Sequence, residues 1–235
     1  MEPRRVIAVV LAGGTGTRMG STRPKQLLPL GGRPVLQRSI EAFQESVAVD
    51  ELVVLMHPDF LGEARRLAAP YPKVTAVIPG GRTRNESTQA ALDALTGIAG
   101  ADDKVLFHDA VRPLVDGATI ARCVAALDDH DAVYVAVPSI DTIIEADGSR
   151  LVAVPDRRRL HRGQTPQGFR MSTIREAYAA AWRDPQFEAT DDCSVVLRYA
   201  PHVPIEVVPG SARNLKITEP IDLVIAEALL ARDPA

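Results

Sequence analysis

Residues 6–11, VIAVVL, are apolar at every position, and the run is broken at once by Gly13, Gly14 and Gly16 and then by a basic segment holding Arg18, Pro24 and Lys25. A strand with no polar face must be covered on both sides, which is the situation of an interior strand in a parallel sheet. This run therefore selects a layered α/β fold with helices on either face of the sheet. The glycines that follow leave backbone N–H groups clear of Cβ atoms, so the turn is predicted to form an anion nest. Arg18 and Lys25 add full positive charges beside it, and the expected ligand carries several phosphates. Two common readings fail on spacing. A dinucleotide fingerprint started at Gly14 requires glycine where Met19 stands, and no G-K-[ST] follows as a P-loop requires.

Downstream, strand and helix patterns alternate. Helical spacing covers residues 34–45, 58–68, 85–95, 118–127, 172–182, 191–199 and 219–230, with Pro34 and Pro220 suited to first turns. Strands are predicted at 51–56, 74–78, 104–107, 131–137 and 205–208. This interval implies right-handed crossovers and a doubly wound, mainly parallel, Rossmann-like sheet within one domain spanning 1–235. The alternation lapses at 139–162, where two apolar segments flank Asp147-Gly148, a hairpin signal. An antiparallel arm is predicted there. Having little core of its own, it needs a surface to bury against, and a second copy of the chain is the economical candidate.

The chain has 235 residues, 24% charged and 46% hydrophobic, and a formal net charge of -3. That composition excludes disordered and fibrous classes and argues against a nucleic-acid surface, which carries basic excess. Cys123 and Cys193 lie far apart without metal-ligand or redox spacing and read as buried small hydrophobes. The N-terminal apolar run is too short for a signal segment or a membrane span, so no membrane association and a cytoplasmic location are expected.

In an open parallel sheet, ligands bind beyond the carboxyl ends of the strands. Loops 12–25, 79–87, 108–113 and 210–218 all follow strands and carry polar or charged residues, so they are expected to converge. Asp109 is the candidate metal ligand, because Mg²⁺ is held by one or two carboxylates together with substrate phosphates. His108, with no second histidine at ligand spacing, is read as structural. No nucleophile–base arrangement is legible, which suits phosphate chemistry: a phosphate monoester is already an anionic nucleophile at neutral pH and needs charge neutralisation rather than a base. Arg18, Lys25, Arg157 and Lys216 are candidates for that work.

LAGGTGTRMG with RPKQ resembles the nucleotide-binding signature of sugar nucleotidyltransferases. Together with GGRTRNES, HDAVRP, IDTI, GQTPQGF, TDDCS and NLKIT in that order, it resembles the CTP-dependent polyol-phosphate cytidylyltransferases from about Val6 to Ala231. That family includes enzymes for methylerythritol phosphate and for ribitol phosphate. Residues 84–87, 140–143 and Gly163-Gln164 are similar to the ribitol branch, and methylerythritol enzymes commonly have another residue where Gly163 stands. The expected acceptor is therefore ribitol 5-phosphate, with 2-C-methyl-D-erythritol 4-phosphate of isoprenoid biosynthesis as the alternative. The resemblance implies that Leu11, Ala12, Gly13, Gly14, Gly81, Arg84, Asn85, Ser87, Asp109 and Ala110 hold CTP, and that Arg18 and Lys25 stabilise the transition state. It implies Mg²⁺ on Asp109, and an acceptor phosphate positioned by Arg157 and Lys216 with Arg112, Thr142 and Thr165 nearby. It further implies homodimers joined through the arm, so that Arg157 acts in the partner's site. One departure stands out: some relatives carry an aspartate where this chain has Arg213, leaving Asp109 as the expected metal ligand. Rival readings are a uridylyl- or guanylyltransferase, a regulatory nucleotide-binding module, and a nicotinamide-dependent oxidoreductase, the last disfavoured by Met19.

Overall fold

The computed structural model describes residues 4–14 and 23–232. Its first strand, β1 (Val6–Ala12), is buried at all seven positions, as an unbroken apolar run demands. After a small hairpin, β2 (Pro29–Leu30) and β3 (Arg33–Pro34), the chain enters α1 (Val35–Glu45), with Pro34 at its N-cap rather than its first turn. There follow β4 (Glu51–Met56), α2 (Leu61–Ala68), β5 (Val74–Pro79), α3 (Arg84–Ala94), β6 (Lys104–Asp109), α4 (Gly117–Ala126) and β7 (Ala132–Pro138). The hairpin β8 (Glu145–Asp147) and β9 (Arg150–Ala153) precedes β10 (His161–Arg170), α5 (Met171–Ala181), α6 (Asp192–Tyr199), β11 (Ile205–Pro209) and α7 (Pro220–Ala231).

Seven strands form one sheet in the order β11-β7-β10-β6-β1-β4-β5. All neighbours are parallel except β10, which is antiparallel to both β6 and β7. Alternation along β1 sorts its side chains to two faces. Ala8 and Val10 join Leu36, Ile40 and Phe43 of α1 with residues of α2 and α4. Ile7, Val9 and Leu11 join Leu92 of α3 with Ile174 of α5 and Val196 of α6. A third, smaller cluster, Leu30, Val35, Val111, Ile217 and Ala226, seats α7 beside the β6 loop. The doubly wound, mainly parallel expectation therefore holds.

Residues 161–170 depart from it. His161 and Arg162 pair with Val137 and Pro138 of β7 and so belong to the sheet, which ends the arm before position 161. The strand is HRGQTPQGFR, without an apolar run or alternation, so hydrophobic periodicity cannot find it. It is buried from Gln164 onward, and its polar side chains are matched by hydrogen bonds instead: Gln167 accepts the N–H groups of Asp192 and Cys193 through Oε1, at 3.0 and 3.1 Å. The arm hairpin is otherwise present but shorter than predicted, and it leaves Ile144, Leu151 and Val152 exposed.

The chain runs from β1 outward through β4 to β5, then returns to place β6 on the other side of β1. Strand order thus reverses between β1 and β6. Leu11 pairs with Asp109 across that boundary, so both strands end at one crevice.

Candidate active site

Two glycine turns meet at the head of this crevice. A Cβ on Gly13 would lie 3.0 Å from Ser87 Oγ, one on Gly80 would lie 3.0 Å from Gly13 Cα, and one on Gly81 would lie 2.2 Å from Glu86 Cβ. Close packing of the two turns on each other and on the start of α3, rather than left-handed φ, is why these positions are glycine. No positive φ occurs at Gly13, Gly14, Gly80 or Gly81. Gly14 faces open space, which leaves its backbone accessible. Ser87 Oγ accepts the Gly81 N–H at 3.0 Å and donates to Thr83 O at 2.9 Å, while Gln26 donates to Ala12 O and to Gly14 O at 2.6 Å. Those bonds clamp both turns. Thr83 caps α3, so the positive end of that helix faces the same cleft.

The cleft, about 250 Å³, is lined by Leu11 through Gly14, Lys25, Gly81, Arg84, Ser87, Asp109 and Lys216 among others. All four predicted loops therefore contribute to one wall. Lys25 is buried at 9% exposure in a 3-10 turn. Arg18 lies outside the described residues. Ala110 is adjacent but fully buried: its N–H bonds to Leu11 O and its carbonyl accepts from Ser39. Asn85 does not line the cleft; its amide donates to Ala189 O at 3.2 Å in a neighbouring groove.

Asp109 is the charge centre. Its carboxylate lies 2.9 Å from Lys216 Nζ, 3.5 Å from Arg84 Nε and 3.8 Å from Arg112 Nε. Burial pushes its pKa up, but the charges of Arg84, Lys216 and Arg112 outweigh burial and hold it well below the usual carboxylate range. Arg84 is anchored from behind by a second carboxylate, Asp192 Oδ2, at 2.6 Å. Asp192 is fully buried and also accepts from Thr88 at 2.8 Å and Tyr178 at 2.7 Å. Burial opposes the Arg84 charge, yet Asp192 and Asp109 together raise its pKa.

A second, polar pocket adjoins this one, sharing Arg84, Asp109 and Lys216 and adding Arg112, Tyr134, Gly163, Thr165, Thr190 and Asp191. Arg112 is fixed by donating to Asn214 O at 2.8 Å and Gly163 O at 3.2 Å. Asn214 in turn donates to Thr165 O at 2.8 Å, which ties the loop bearing Lys216 to β10. The Thr165 hydroxyl is itself internal: it accepts the Asp109 N–H at 3.1 Å and donates to His108 Nδ1 at 3.0 Å. That network assigns the remaining His108 proton to Nε2, which faces Arg112 O at 3.1 Å. Burial lowers the His108 pKa to about 4, so the imidazole is neutral and structural, as expected.

Thr142 and Arg157 are not brought into either pocket. Both sit exposed on the arm, where Arg157 donates to Ile140 O at 3.2 Å. Sequence reasoning missed Gln26, Tyr134, Asp191 and Asp192 as site residues. Gln26 and the Asp191-Asp192 pair stood inside segments that carry the family resemblance, whereas Tyr134 had no signal beyond its place in a strand.

The family profile described as "IspD: 2-C-methyl-D-erythritol 4-phosphate cytidylyltransferase" matches residues 6–232. The chain belongs to this family. It is thus a nucleotidyltransferase, and the converging phosphate cradle and cation cluster are what such an enzyme needs. A relative from Thermobifida fusca, named 2-C-methyl-D-erythritol 4-phosphate cytidylyltransferase, is 52% identical over 96% of this chain and 93% of its own. A "Bifunctional ribulose 5-phosphate reductase/CDP-ribitol pyrophosphorylase Bcs1" from Haemophilus influenzae is 36% identical over 97% of this chain and 49% of its own. Among solved structures, the 4-diphosphocytidyl-2C-methyl-D-erythritol synthase of Anaerococcus prevotii superposes with a TM-score of 0.86 at 28% identity, covering 97% of both chains. Among the described residues, no helix is long and apolar enough to cross a membrane.

Proposed function

We propose that this protein transfers CMP from CTP to 2-C-methyl-D-erythritol 4-phosphate, releasing pyrophosphate. The observation that carries the reading is the shared wall of Arg84, Asp109 and Lys216 between a glycine-lined cleft and a second polar pocket. Such a wall lets a triphosphate and an acceptor phosphate meet. The acceptor is drawn from relatives: methylerythritol enzymes at 52% and 45% identity outweigh the ribitol-named relative at 36%. The ribitol expectation, built on residues 84–87, 140–143 and 163–164, loses its support on that comparison.

The acceptor phosphate oxygen attacks the α-phosphorus of CTP, a new P–O–P bond forms, and the bond to the β-phosphate breaks to release pyrophosphate. No base is required, because the nucleophile is already anionic. The barrier is repulsion between polyanions, and fixed cations lower it by stabilising charge spread in the transition state. The turn at Gly13 and Gly14 and the start of α3 receive the triphosphate, Lys25 flanks it, and Arg84, Arg112 and Lys216 face the meeting point. Arg18 belongs to the same nucleotide loop.

Asp109 fits Mg²⁺ as one carboxylate completing a shell of substrate oxygens; among the described residues no group of three His, Cys, Asp or Glu is placed to hold a metal without substrate. With Mg²⁺ bound, Asp109 would hold the ion, which would supply charge neutralisation for the phosphates. The arm is read as a dimerisation element whose exposed Ile144, Leu151 and Val152 find cover on a second copy, carrying Thr142 and Arg157 to that copy's acceptor pocket. Dimers by analytical ultracentrifugation, and recovery of activity on mixing Arg157→Ala with Lys216→Ala protein, are the expected outcomes.

The direct test is pyrophosphate release with CTP, UTP, GTP and ATP against both polyol phosphates, with and without EDTA. CTP with methylerythritol phosphate and Mg²⁺ should be the preferred combination, and Asp109→Asn should depress it severely at low Mg²⁺. A higher kcat/KM for ribitol 5-phosphate would reverse the acceptor assignment.

A further inference from the structure

Tyr134 lies on β7 and lines the second pocket together with Asp191, Arg84, Arg112 and Lys216. Its hydroxyl donates to Asp191 Oδ2, which also accepts the Gln167 amide at 2.9 Å. Asp191 Oδ1 is occupied by the Ser194 N–H at 2.8 Å, the cap of α6. The phenolic proton is therefore committed to the carboxylate. What remains for a ligand is the lone pairs of the phenol oxygen, an acceptor for a hydroxyl donor. Burial, reinforced by Asp191, raises the Tyr134 pKa above that of an ordinary phenol and keeps the group protonated.

Residue 163 decides whether the ring can sit there. A Cβ on Gly163 would lie 2.1 Å from Tyr134 Oη and 2.6 Å from Cζ. The register of β10 slips between Gly163, opposite Ala136, and Gln167, opposite Tyr134, and this brings the Gly163 backbone against the ring. In this packing, a tyrosine at 134 and a side chain at 163 exclude each other. The pocket thus combines cations for a phosphate with an acceptor-rich pair, Tyr134 and Asp191.

A polyol monophosphate offers the matching groups, a charged phosphate and a chain of hydroxyl donors. We propose that Tyr134 is a specificity-determining residue of the acceptor pocket, its phenol oxygen, held by Asp191 and admitted by Gly163, receiving a hydroxyl of the polyol chain. This rests on the cytidylyltransferase reading above and says which side chain reads the acceptor.

Steady-state kinetics of the full-length protein with methylerythritol 4-phosphate and ribitol 5-phosphate test it. Tyr134→Phe should raise the acceptor KM about three- to tenfold, the range for one neutral hydrogen bond. The CTP KM should hold, the melting temperature should fall by at most about 6 °C because Asp191 keeps Gln167 and Ser194, and the ratio of kcat/KM between the two acceptors should change. Gly163→Ala should raise the acceptor KM as well, but should add less than about twofold in a Tyr134→Ala background, because the clash is then gone. An unchanged acceptor KM in Tyr134→Phe overturns the proposal. So does an equal loss towards CTP and both acceptors, the mark of a purely structural role. Wild-type protein inactive on every polyol phosphate would instead sink the function reading, and this proposal with it.

Discussion

Asp192→Asn isolates the buried charge that holds Arg84. The amide has nearly the shape of the carboxylate, so no cavity opens, and its oxygen still accepts from Thr88 and Tyr178, now at 2.8 and 2.7 Å. What disappears is the negative charge 2.6 Å from Arg84 Nη1, and the amide N–H₂ that replaces Oδ2 faces the guanidinium donor to donor. Removing one partner of a buried pair costs about 3–5 kcal/mol, because the other charge is left uncompensated. Here Arg84 keeps Asp109 at 3.5 Å and is 20% exposed in its side chain, which places the loss just below that range, about 2–3 kcal/mol. For a chain of this size each kcal/mol moves the melting temperature by about 2–4 °C, giving a fall of about 4–12 °C. Calorimetry on substrate-free protein reads that shift, and kcat/KM for CTP should drop with it as Arg84 loses its position beside Asp109. The double variant Arg84→Met/Asp192→Asn removes both charges and should regain much of the stability but none of the activity. A melting temperature within about 2 °C of wild type for Asp192→Asn, or a double variant no more stable than the single one, would refute the idea that this pair holds the site.

Two further outcomes follow from the same geometry. His108, with a pKa lowered by burial to about 4, is refused a proton by the fold that the unfolded chain accepts near 6.5. Stability is complete above about pH 6.5 and falls by up to about 3 kcal/mol as pH drops toward 4; denaturant titrations without divalent cations should show this slope, and His108→Gln should flatten it. Lys216→Ala should lower kcat/KM for the polyol phosphate tenfold to several hundredfold, about 2–4 kcal/mol of transition-state stabilisation, while CTP affinity measured without acceptor falls by much less, since Lys216 also lines the nucleotide cleft; an equal loss in CTP binding would reassign Lys216 to the nucleotide.

The parts of the site legible in sequence were those with local signatures. Gly13, Gly14 and Gly81 announce turns, Asp109 ends an apolar strand, and the order of strands and helices sends their loops to one edge. Residues whose roles depend on distant partners were not legible. Asn85 and Ser87 are two positions apart on α3, yet Ser87 turns to the Gly81 N–H and Asn85 to Ala189, a divergence set by helix rotation. Thr165, expected beside the acceptor, lines the second pocket, but its hydroxyl also joins His108 to the Asp109 N–H, a link between β6 and β10 that no local pattern shows. Tyr134 reads as one more strand residue until β10 lays Gly163 against it.

By its own pattern, the chain determined a doubly wound sheet with an apolar central strand, because an all-apolar run has only one environment that hides both faces. It also set the expectation that phosphates bind beyond that strand, since glycine backbones and clustered cations leave few other ligands. Tertiary structure alone decided that residues 161–170 complete the sheet antiparallel to their neighbours. A strand stabilised by buried polar matches, such as Gln167 with Asp192, carries no hydrophobic period to read. It alone decided, too, that Asp109 gathers three cations from three separate loops. Opposite charges far apart in sequence become partners only when the fold removes the water between them.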